Sequence, residues 1–220
     1  MNLAAYFLDH NLAERADKVA LRTEACCWTF REMHEASCQF GNLYRALGVR
    51  EEERVLLALN DGAPFAAAWF GVVRIGAVVT MMNPGGPPED YAYYLRYTRA
   101  RVLVTEARFF DANREVIEAA LSHGLDRVVV VDRDQAEIDA QPLECAYGDV
   151  GPDDPSVWLF SSGSTGKPKG CIHVNADFVF NTEQYAKGVL GIREDDITLG
   201  VPKLFFGYAT GTNLMFPWAV

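Results

Sequence analysis

Between residues 54 and 132 the sequence alternates short apolar, β-branched runs with longer stretches in which apolar residues recur at helical spacing. The apolar runs cover residues 54–59, 77–82, 102–105 and 128–132, and the helical stretches cover residues 64–75, 89–98 and 109–121. Such alternation predicts parallel strands joined by helices that cross over the faces of the sheet. The sequence therefore predicts an α/β fold, in which a mostly parallel sheet is flanked by helices.

Signals on either side of this alternation predict further elements. Thr29 and Glu32 form a capping-box pattern at the start of a helix that we expect to end at Gly48. Asn175 is placed to cap another helix, which Gly191 would end. One face of that helix would carry Phe178, Thr182, Tyr185 and Val189. The remaining predicted elements are a first helix at residues 2–16, a hairpin of residues 19–23 and 26–29, a connector at residues 133–156 and a strand at residues 197–201.

The composition indicates which binding partners are unfavourable and in which cellular compartment the protein would be found. The 220 residues include 20 Lys and Arg against 30 Asp and Glu, which gives a formal net charge of −10. A surface this acidic argues against binding to nucleic acid or to an anionic membrane. The five cysteines are odd in number and lack C-x-x-C spacing, so they predict reduced thiols rather than a disulfide framework or a zinc site. Together with a start, MNLAAYFLDH, that does not resemble a signal peptide, this predicts a cytoplasmic protein.

Residues 63–82 have the length of a membrane-spanning helix, because these 20 residues contain a single charge, Arg74. An arginine so near the middle would cost about 2.5–3.5 kcal/mol on insertion into a bilayer. Pro64 and two glycines also interrupt the stretch. We therefore predict a buried helix followed by a buried strand, without membrane insertion.

Residues 157–174 read VWLFSSGSTGKPKGCIHV, and their two apolar runs flank a polar loop at residues 161–170. This order predicts a strand, a loop and a second strand. Glycines let backbone N–H groups approach an anion closely, while hydroxyl and ammonium groups donate further hydrogen bonds to it. The loop therefore has the chemistry needed to hold a polyphosphate.

Three interpretations compete for this loop. A flexible surface turn accounts for glycine and serine, but not for two lysines beside four hydroxyls. A Walker A loop requires G-x-x-x-x-G-K-[ST], whereas Ser161 stands at the first glycine position and Pro168 follows Lys167. The third interpretation is a resemblance, since FSSGSTGKPKG at residues 160–170 resembles at every position the signature of the adenylate-forming superfamily. That superfamily includes acyl-CoA synthetases, luciferases and peptide-synthetase adenylation domains.

The resemblance implies an activity and a set of contacts. Enzymes of this superfamily join a carboxylic acid to ATP, forming an acyl-adenylate and pyrophosphate, and acyl-CoA synthetases then transfer the acyl group to coenzyme A. ATP, Mg²⁺ and coenzyme A are the implied cofactors, and the implied partners are ATP and a small carboxylic acid. No certain catalytic residue and no metal ligand is implied within these 220 residues. The implied ATP phosphate-binding residues are Ser161, Ser162, Gly163, Ser164, Thr165, Gly166, Lys167 and Lys169.

Three other segments, at residues 90–104, 186–196 and 202–211, are similar to the benzoate-CoA ligase branch of the superfamily. The similarity implies an aryl substrate pocket that has Gly207 and Tyr208 in its wall, where a flat ring beside a residue without a side chain can admit a planar acid. His173 matches the G-x-x-H pattern of this branch, whereas Asn175 stands where many members have a second histidine. Two alternatives remain open: another acid, such as a fatty acid or an amino acid, and a nucleotide-binding module without turnover.

The resemblance spans essentially all 220 residues and implies that they form the N-terminal portion of an AMP-binding domain. The motifs for adenine, ribose and magnesium, and the C-terminal domain, would then lie beyond Val220. The last seven residues, LMFPWAV, agree with this expectation, because an apolar end would expose an unmatched patch on a native domain. We therefore expect these residues by themselves to hold a phosphate cradle and to be inactive. The sequence indicates no oligomeric state.

Overall fold

The computed structural model describes residues 1–162 and 166–220, apart from the side chain of Ser162. Within those residues a six-stranded sheet has the strand order β6-β5-β3-β4-β7-β8, and β1 and β2 form a separate hairpin. The strands are β1 (Val19–Arg22), β2 (Cys27–Thr29), β3 (Arg54–Ala58), β4 (Val78–Met81), β5 (Val102–Thr105), β6 (Arg127–Val130), β7 (Pro155–Ser162) and β8 (Pro168–Val174). Neighbouring strands of the large sheet are parallel except β7 and β8. The predicted α/β class and mostly parallel sheet are confirmed.

Helices cover both faces of this sheet. The helices are α1 (Leu3–Phe7), α2 (Leu12–Arg15), α3 (Phe30–Ala46), α4 (Ala63–Arg74), α5 (Pro88–Thr98), α6 (Ala107–Ala112), α7 (Arg114–Leu121), α8 (Gln135–Asp139), α9 (Asn175–Asn181) and α10 (Gly207–Ala209). Val55 and Leu57 of β3 belong to the larger apolar core with α1, α3 and α4. Leu56 and Ala58 belong to a second core with α5 and α7. Because alternate residues of a strand face opposite sides, the two cores lie on the two faces of the sheet.

The start and the end of α3 agree with the sequence. Thr29 Oγ1 accepts a hydrogen bond from the backbone N–H of Glu32 at 3.2 Å, and the backbone N–H of Thr29 donates to Glu32 Oε2 at 2.7 Å. These reciprocal bonds form the predicted capping box. Gly48 follows the helix with a φ of +82°, a conformation that residues with a Cβ atom adopt only with strain.

Helices α3 and α4 cross at two glycines. A Cβ atom at Gly71 would lie 2.6 Å from Phe40 Cβ and 2.9 Å from the backbone nitrogen of Gly41. The two backbones can approach this closely only because neither glycine carries a side chain. The helical layer over this face of the sheet therefore depends on glycine at the crossing point.

A polar cluster around the buried Arg74, here called the Arg74 cluster, consists of Asp9, His34, Ser37, Arg74 and Tyr147, of which Tyr147 lies at the surface and is 48% exposed. The Arg74 guanidinium, 1% exposed, donates to both carboxylate oxygens of Asp9 at 2.7 Å. Arg74 Nη2 also donates to Ser37 Oγ at 3.0 Å, and His34 Nδ1 lies 2.7 Å from Asp9 Oδ1. The Tyr147 hydroxyl donates to Asp9 Oδ2 at 2.6 Å. The cluster thus connects the start of the chain, α3, α4 and the segment before β7.

The apolar stretch at residues 63–82 forms a helix and a strand, α4 and β4, as predicted. Both are buried, and the charge of Arg74 is paired with Asp9 inside the protein. Across residues 1–162 and 166–220, no helix combines the length and the apolar character needed to cross a bilayer.

Two predicted helices are interrupted by asparagines. The first helix, predicted at residues 2–16, is divided by a 3₁₀ turn (Asp9–Asn11), where the Asn11 side chain donates to the carbonyl oxygens of Phe7 and Leu8 at 3.0 Å. The helix predicted at residues 109–121 is divided into α6 and α7 at Asn113, whose side chain donates to the carbonyl oxygen of Phe109 at 3.0 Å. Asparagine side chains compete with the backbone for such acceptors, which explains both interruptions. The predicted connector at residues 133–156 also contains the short helix α8.

The helix after β8 begins as α9 but continues as a π-helix (Thr182–Leu190). In a π-helix each hydrogen bond spans five residues instead of four. Residues that would share one face of an α-helix therefore point in different directions. Thr182 and Ala186 are buried, whereas Tyr185 and Val189 are 45% and 71% exposed. The prediction that Tyr185 and Val189 share one face with Phe178 and Thr182 is therefore wrong. Gly191 ends the helix with a φ of +65°, as expected.

Asn175 does not cap this helix. Val174 occupies the N-cap position, and Asn175 Nδ2 instead donates to the carbonyl oxygens of Gly151 and Asp154 at 2.9 and 3.4 Å. The capping prediction is therefore wrong, because the asparagine side chain binds the segment that leads into β7.

Two predictions for the last part of the chain are also wrong. Residues 197–201 form no strand within the described ranges, and Ile197, Leu199 and Val201 are 79%, 96% and 94% exposed. Their alternation is typical of a strand, but no described strand lies beside them to complete a ladder of hydrogen bonds. The final segment, expected to leave an exposed patch, is mostly buried, and the Trp218 ring stacks on Phe70 at 5.1 Å. The exposed apolar patch expected at this end is therefore not observed.

Candidate functional site

Strands β7 and β8 form an antiparallel hairpin whose tip is the glycine- and hydroxyl-rich loop. The register pairs Phe160 with Gly170 and Ser161 with Lys169. Because β7 runs parallel to β4, the tip lies at the edge where the carboxyl ends of the parallel strands meet. Crevices at this edge are the usual ligand-binding places of open α/β sheets. The predicted order of strand, loop and strand is confirmed, but β7 extends to Ser162 and β8 begins at Pro168, so the loop predicted at residues 161–170 was too long. The hairpin ends at an edge of the sheet where a ligand can bind.

Of the predicted phosphate-binding residues, four whose side-chain environment the structure describes are exposed to solvent: Ser161, Gly166, Lys167 and Lys169. Gly166 has a φ of +83°, and no atom lies within 4 Å of a Cβ atom built there. Its backbone conformation, rather than crowding, therefore requires glycine. Exposed ammonium and hydroxyl groups can donate charge-assisted hydrogen bonds to an anion. Outside the described residues lie Gly163, Ser164, Thr165 and the side chain of Ser162.

Aromatic side chains connect β7 with helix α5. The Phe160 ring lies 4.6 Å from the Tyr94 ring and 5.8 Å from the Tyr97 ring, and Trp158 lies 6.4 Å from Tyr97. Burial, followed by the charge of Asp90, raises the pKa of Tyr94 to about 12, so this phenol stays neutral. No role for these tyrosines was predicted from the sequence, although their spacing of one turn in a predicted helix indicated that they lie close together.

The two predicted aryl-pocket residues lie at the start of α10. A Cβ atom at Gly207 would lie 2.7 Å from Leu159 Cδ1, so glycine at this position lets α10 approach β7 closely. Leu159 faces the side of β7 opposite to Trp158 and Phe160, because side chains alternate along a strand. Tyr208 follows with 72% of its surface exposed. The hairpin therefore has the α5 tyrosines on one side and α10 on the other.

Polar residues directly after β3 and β5 organise the carboxyl edge of the sheet. The backbone N–H and Nδ2 of Asn60 donate to Glu106 Oε1 at 2.7 and 2.9 Å. Asp61 Oδ1 accepts from the backbone N–H of Leu204 at 2.8 Å, and Asp61 Oδ2 lies 3.7 Å from Lys203 Nζ. These contacts attach the segment before Gly207 to the sheet. Sequence reasoning missed them, and the available signal was a polar residue directly after each apolar run.

His173 and Asn175 both make contacts around the start of α9. His173 Nδ1 lies 3.2 Å from Asp177 Oδ2, and its ring lies 5.5 Å from the Phe178 ring. The backbone N–H of Val174 donates to the same Asp177 oxygen at 3.2 Å. These contacts order the junction between β8 and α9.

Comparison with known proteins identifies the family of the chain. The family described as AMP-binding enzyme matches residues 8–220. The chain belongs to the AMP-binding enzymes. The resemblance found in the loop is thereby confirmed, and it extends over nearly the whole chain.

A curated relative and two solved structures show how far the similarity extends. This AMP-binding enzyme is 33% identical over 215 residues to a benzoate–CoA ligase of Thauera aromatica, covering 95% of the chain and 40% of that protein. An anthranilate CoA ligase in complex with anthranoyl-AMP superposes with a TM-score of 0.91 at 35% identity, covering 100% of this chain and 42% of that one. A benzoate CoA ligase from Burkholderia xenovorans superposes with a TM-score of 0.89 at 32% identity, covering 100% and 44%. The chain thus spans less than half the length of these proteins.

Proposed function

We propose that the protein activates a benzoate-like aromatic acid with ATP and transfers the acyl group to coenzyme A. One observation carries the proposal: the hairpin tip presents Ser161, Gly166, Lys167 and Lys169 at the carboxyl edge of a parallel sheet. The relatives support it, since they include a benzoate–CoA ligase and a structure bound to an aryl adenylate. Residues 1–220 would form the N-terminal portion of the adenylation domain, and the cytoplasm would supply ATP and coenzyme A.

The first step is attack of a carboxylate oxygen on the α-phosphorus of ATP. The bond from that phosphorus to the bridging oxygen breaks, and pyrophosphate leaves with both electrons of the bond. The Lys167 and Lys169 ammonium groups, the Ser161 hydroxyl and the loop N–H groups would donate to the β- and γ-phosphate oxygens. Such positioned donors stabilise the charge that develops as the bond breaks. In the second step the coenzyme A sulfur loses its proton and attacks the acyl carbonyl, and AMP leaves.

Magnesium is implied by the family, and the described residues fit it through the phosphates of a bound nucleotide. The described residues contain no group of three His, Cys, Asp or Glu side chains close enough to hold a metal ion. Mg²⁺ is commonly held by substrate phosphates together with one or two carboxylates and water. When bound, it would neutralise charge on the phosphates, and Lys167 and Lys169 would add positive charge from the protein.

The acid would bind beside α10. Gly207 and Tyr208 are proposed as part of the pocket wall, and the exposed Tyr208 ring is available to contact a planar ligand. Gly207 and Leu159 are already in close contact, so the size of the pocket depends on other residues around them. A fatty acid or an amino acid therefore remains the alternative substrate class.

Isotope exchange between ATP and pyrophosphate tests the proposal with the whole protein and a panel of acids. We expect exchange with benzoate and 2-aminobenzoate to exceed exchange with acetate, octanoate and amino acids. Faster exchange with an aliphatic acid or an amino acid would replace the aryl assignment. No exchange with any acid would reject the ligase and favour a nucleotide-binding module. Residues 1–220 by themselves are expected to show no exchange above background.

A further inference from the structure

Two tyrosines of α5 bind the backbone of the candidate phosphate hairpin. The Tyr93 hydroxyl donates to the carbonyl oxygen of Pro168 at 2.6 Å. The backbone N–H of Gly170 donates to the Tyr97 hydroxyl at 3.3 Å. The two tyrosines are one helical turn apart, and their rings stack at 5.5 Å with an interplanar angle of 28°. One face of α5 thus holds β8 at two points directly after the loop.

The Tyr93 ring also lies under the ammonium group of Lys167. Lys167 Nζ lies 5.7 Å from the centre of the Tyr93 ring, within the range of a cation–π contact. A neutral ring orients an ammonium group without neutralising its charge, whereas a carboxylate would cancel that charge. This difference matters in a chain with a formal net charge of −10, where acidic side chains outnumber basic ones.

The glycine of the hairpin is fitted to this arrangement. A Cβ atom at Gly170 would lie 3.3 Å from Trp158 Cε3, 3.3 Å from Tyr97 Cε1 and 3.5 Å from Phe160 Cε1. Glycine at residue 170 leaves room for the Tyr97 ring to pack beside β8 without displacement. β8 forms the edge of the sheet, so Tyr97 takes the N–H group that a further strand would otherwise bind.

We propose that Tyr93 and Tyr97 are positioning residues for ATP, which fix the arm of the phosphate loop that carries Lys167 and Lys169. The inference rests on the proposed function, because it assumes that the hairpin binds the phosphates of ATP. Fixing the backbone at Pro168 and Gly170 before ATP binds reduces the ordering that binding would otherwise require. The Tyr93 ring holds the Lys167 ammonium group next to the loop without neutralising its charge, so that the full charge can act on a phosphate oxygen.

Conservative variants of the whole protein test this role, and Tyr94→Phe is the matched control. Tyr94 lies on the same helix and packs on Phe160, but its hydroxyl makes no hydrogen bond to the described part of the hairpin. Loss of the Tyr93 hydroxyl in Tyr93→Phe should weaken ATP binding about fivefold and raise KM for ATP more than it lowers kcat. Tyr97→Phe should weaken binding about twofold, since its bond is longer. Tyr94→Phe should leave both values within experimental error.

The contribution of the ring is isolated by Tyr93→Leu. It should bind ATP more weakly than Tyr93→Phe, and this difference should disappear when Lys167 is replaced by alanine. Amide hydrogen exchange at Lys169 and Gly170 should become faster in Tyr93→Phe and Tyr97→Phe, without a matching loss of melting temperature.

The outcomes separate the two proposals. If the wild-type protein binds ATP and the Tyr93 and Tyr97 variants bind it as tightly as Tyr94→Phe, the positioning role is wrong and the proposed function stands. If the difference in ATP affinity between Tyr93→Phe and Tyr93→Leu is the same with and without Lys167, the ring acts by packing and not on the ammonium group. If wild-type protein does not bind ATP, the proposed function fails and the positioning role fails with it.

Discussion

The β7–β8 hairpin and the Arg74 cluster use charged groups in opposite ways. At the hairpin tip Lys167 and Lys169 are exposed, and a short motif in the sequence marks the position. In the cluster the side chains of Arg74 and Asp9 are 1% and 8% exposed, and the members of the cluster come from four separate parts of the chain. Exposed charges near a ligand site remain available for binding, whereas buried charges must be paired within the protein. Substitutions in the hairpin should therefore change binding, and substitutions in the cluster should change folding.

The largest effect on stability is expected from Arg74→Leu. Removal of the guanidinium leaves the Asp9 carboxylate, 8% exposed, without its main counter-charge, so the free energy of unfolding should fall by about 3–5 kcal/mol. Arg114→Leu is the control, because its ion pairs with Asp111 and Glu118 are at the surface and its loss should cost much less. Urea unfolding measures both. Equal losses in the two variants would show that burial does not distinguish these ion pairs.

Lys167→Ala should have the next largest effect, and on activity instead of stability. Loss of one charge-assisted contact to phosphate should cost about 1.5–3 kcal/mol of transition-state stabilisation. The measurement is kcat/KM for ATP in the whole protein, together with the melting temperature, which should stay unchanged. Lys187→Ala, which removes a lysine paired with Glu183 at 2.8 Å, is the control and should keep full activity. An unchanged kcat/KM in Lys167→Ala would remove Lys167 from the phosphate site.

Gly71→Ala tests the packing of the helical layer that contains Arg74. The added Cβ atom would lie 2.6 Å from Phe40 Cβ and 2.9 Å from the backbone of Gly41, so α3 and α4 must separate. We expect a loss of about 1–3 kcal/mol in the free energy of unfolding, with ATP binding unchanged. A stability equal to that of the wild type would show that this crossing accommodates a methyl group.

The Arg74 cluster also predicts how stability depends on pH. Burial lowers the pKa of His34, but hydrogen bonds with Asp9 and Cys38 and the Asp9 charge outweigh it and raise the pKa from 6.5 to about 9. Burial raises the pKa of Asp9, but hydrogen bonds with His34 and Arg74, the Arg74 charge and the Tyr147 hydrogen bond lower it from 3.8 to about 2. The His34 contribution is therefore complete below pH 6.5 and is lost as the pH rises towards 9. The Asp9 contribution is complete above pH 3.8 and is lost as the pH falls towards 2.

Melting temperatures across this pH range test the prediction. The wild-type protein should lose stability between pH 6.5 and about 9, and His34→Asn should lose less over the same interval. Asparagine can still donate to Asp9 but does not titrate. His123→Asn, at an exposed position, should retain the wild-type slope. Identical slopes in His34→Asn and the wild type would contradict the assignment.

Gly170→Ala is the counterpart of Gly71→Ala in the hairpin and should have the smallest effect on stability. Its Cβ atom would meet only the edges of aromatic rings at 3.3–3.5 Å, and rings can move by a few tenths of an ångström. We expect a loss below about 1 kcal/mol in the free energy of unfolding. A loss as large as that of Gly71→Ala would show that the hairpin is packed as tightly as the helical layer.

Much of the fold could be predicted from local patterns. The alternation between residues 54 and 132 predicted the parallel sheet, and the Thr29–Glu32 capping box and Gly48 appear where expected. The strands around the loop were also predicted. Errors arose where neighbours distant in sequence decide the outcome: residues 197–201 have no described strand beside them, and the final apolar segment packs against α4.

The sequence by itself determined the class of fold, the family and the loop that carries Lys167, because each depends on residues close together in the chain. Only the tertiary structure decided the partners of those residues. Asp9 pairs with Arg74 across 65 positions, and Tyr93 binds Pro168 across 75. Hydrophobic periodicity reports which side of an element is buried, but it does not report which element covers that side. The pairing of buried charge and the contacts of α5 with the hairpin that carries Lys167 could therefore be seen only in the folded chain.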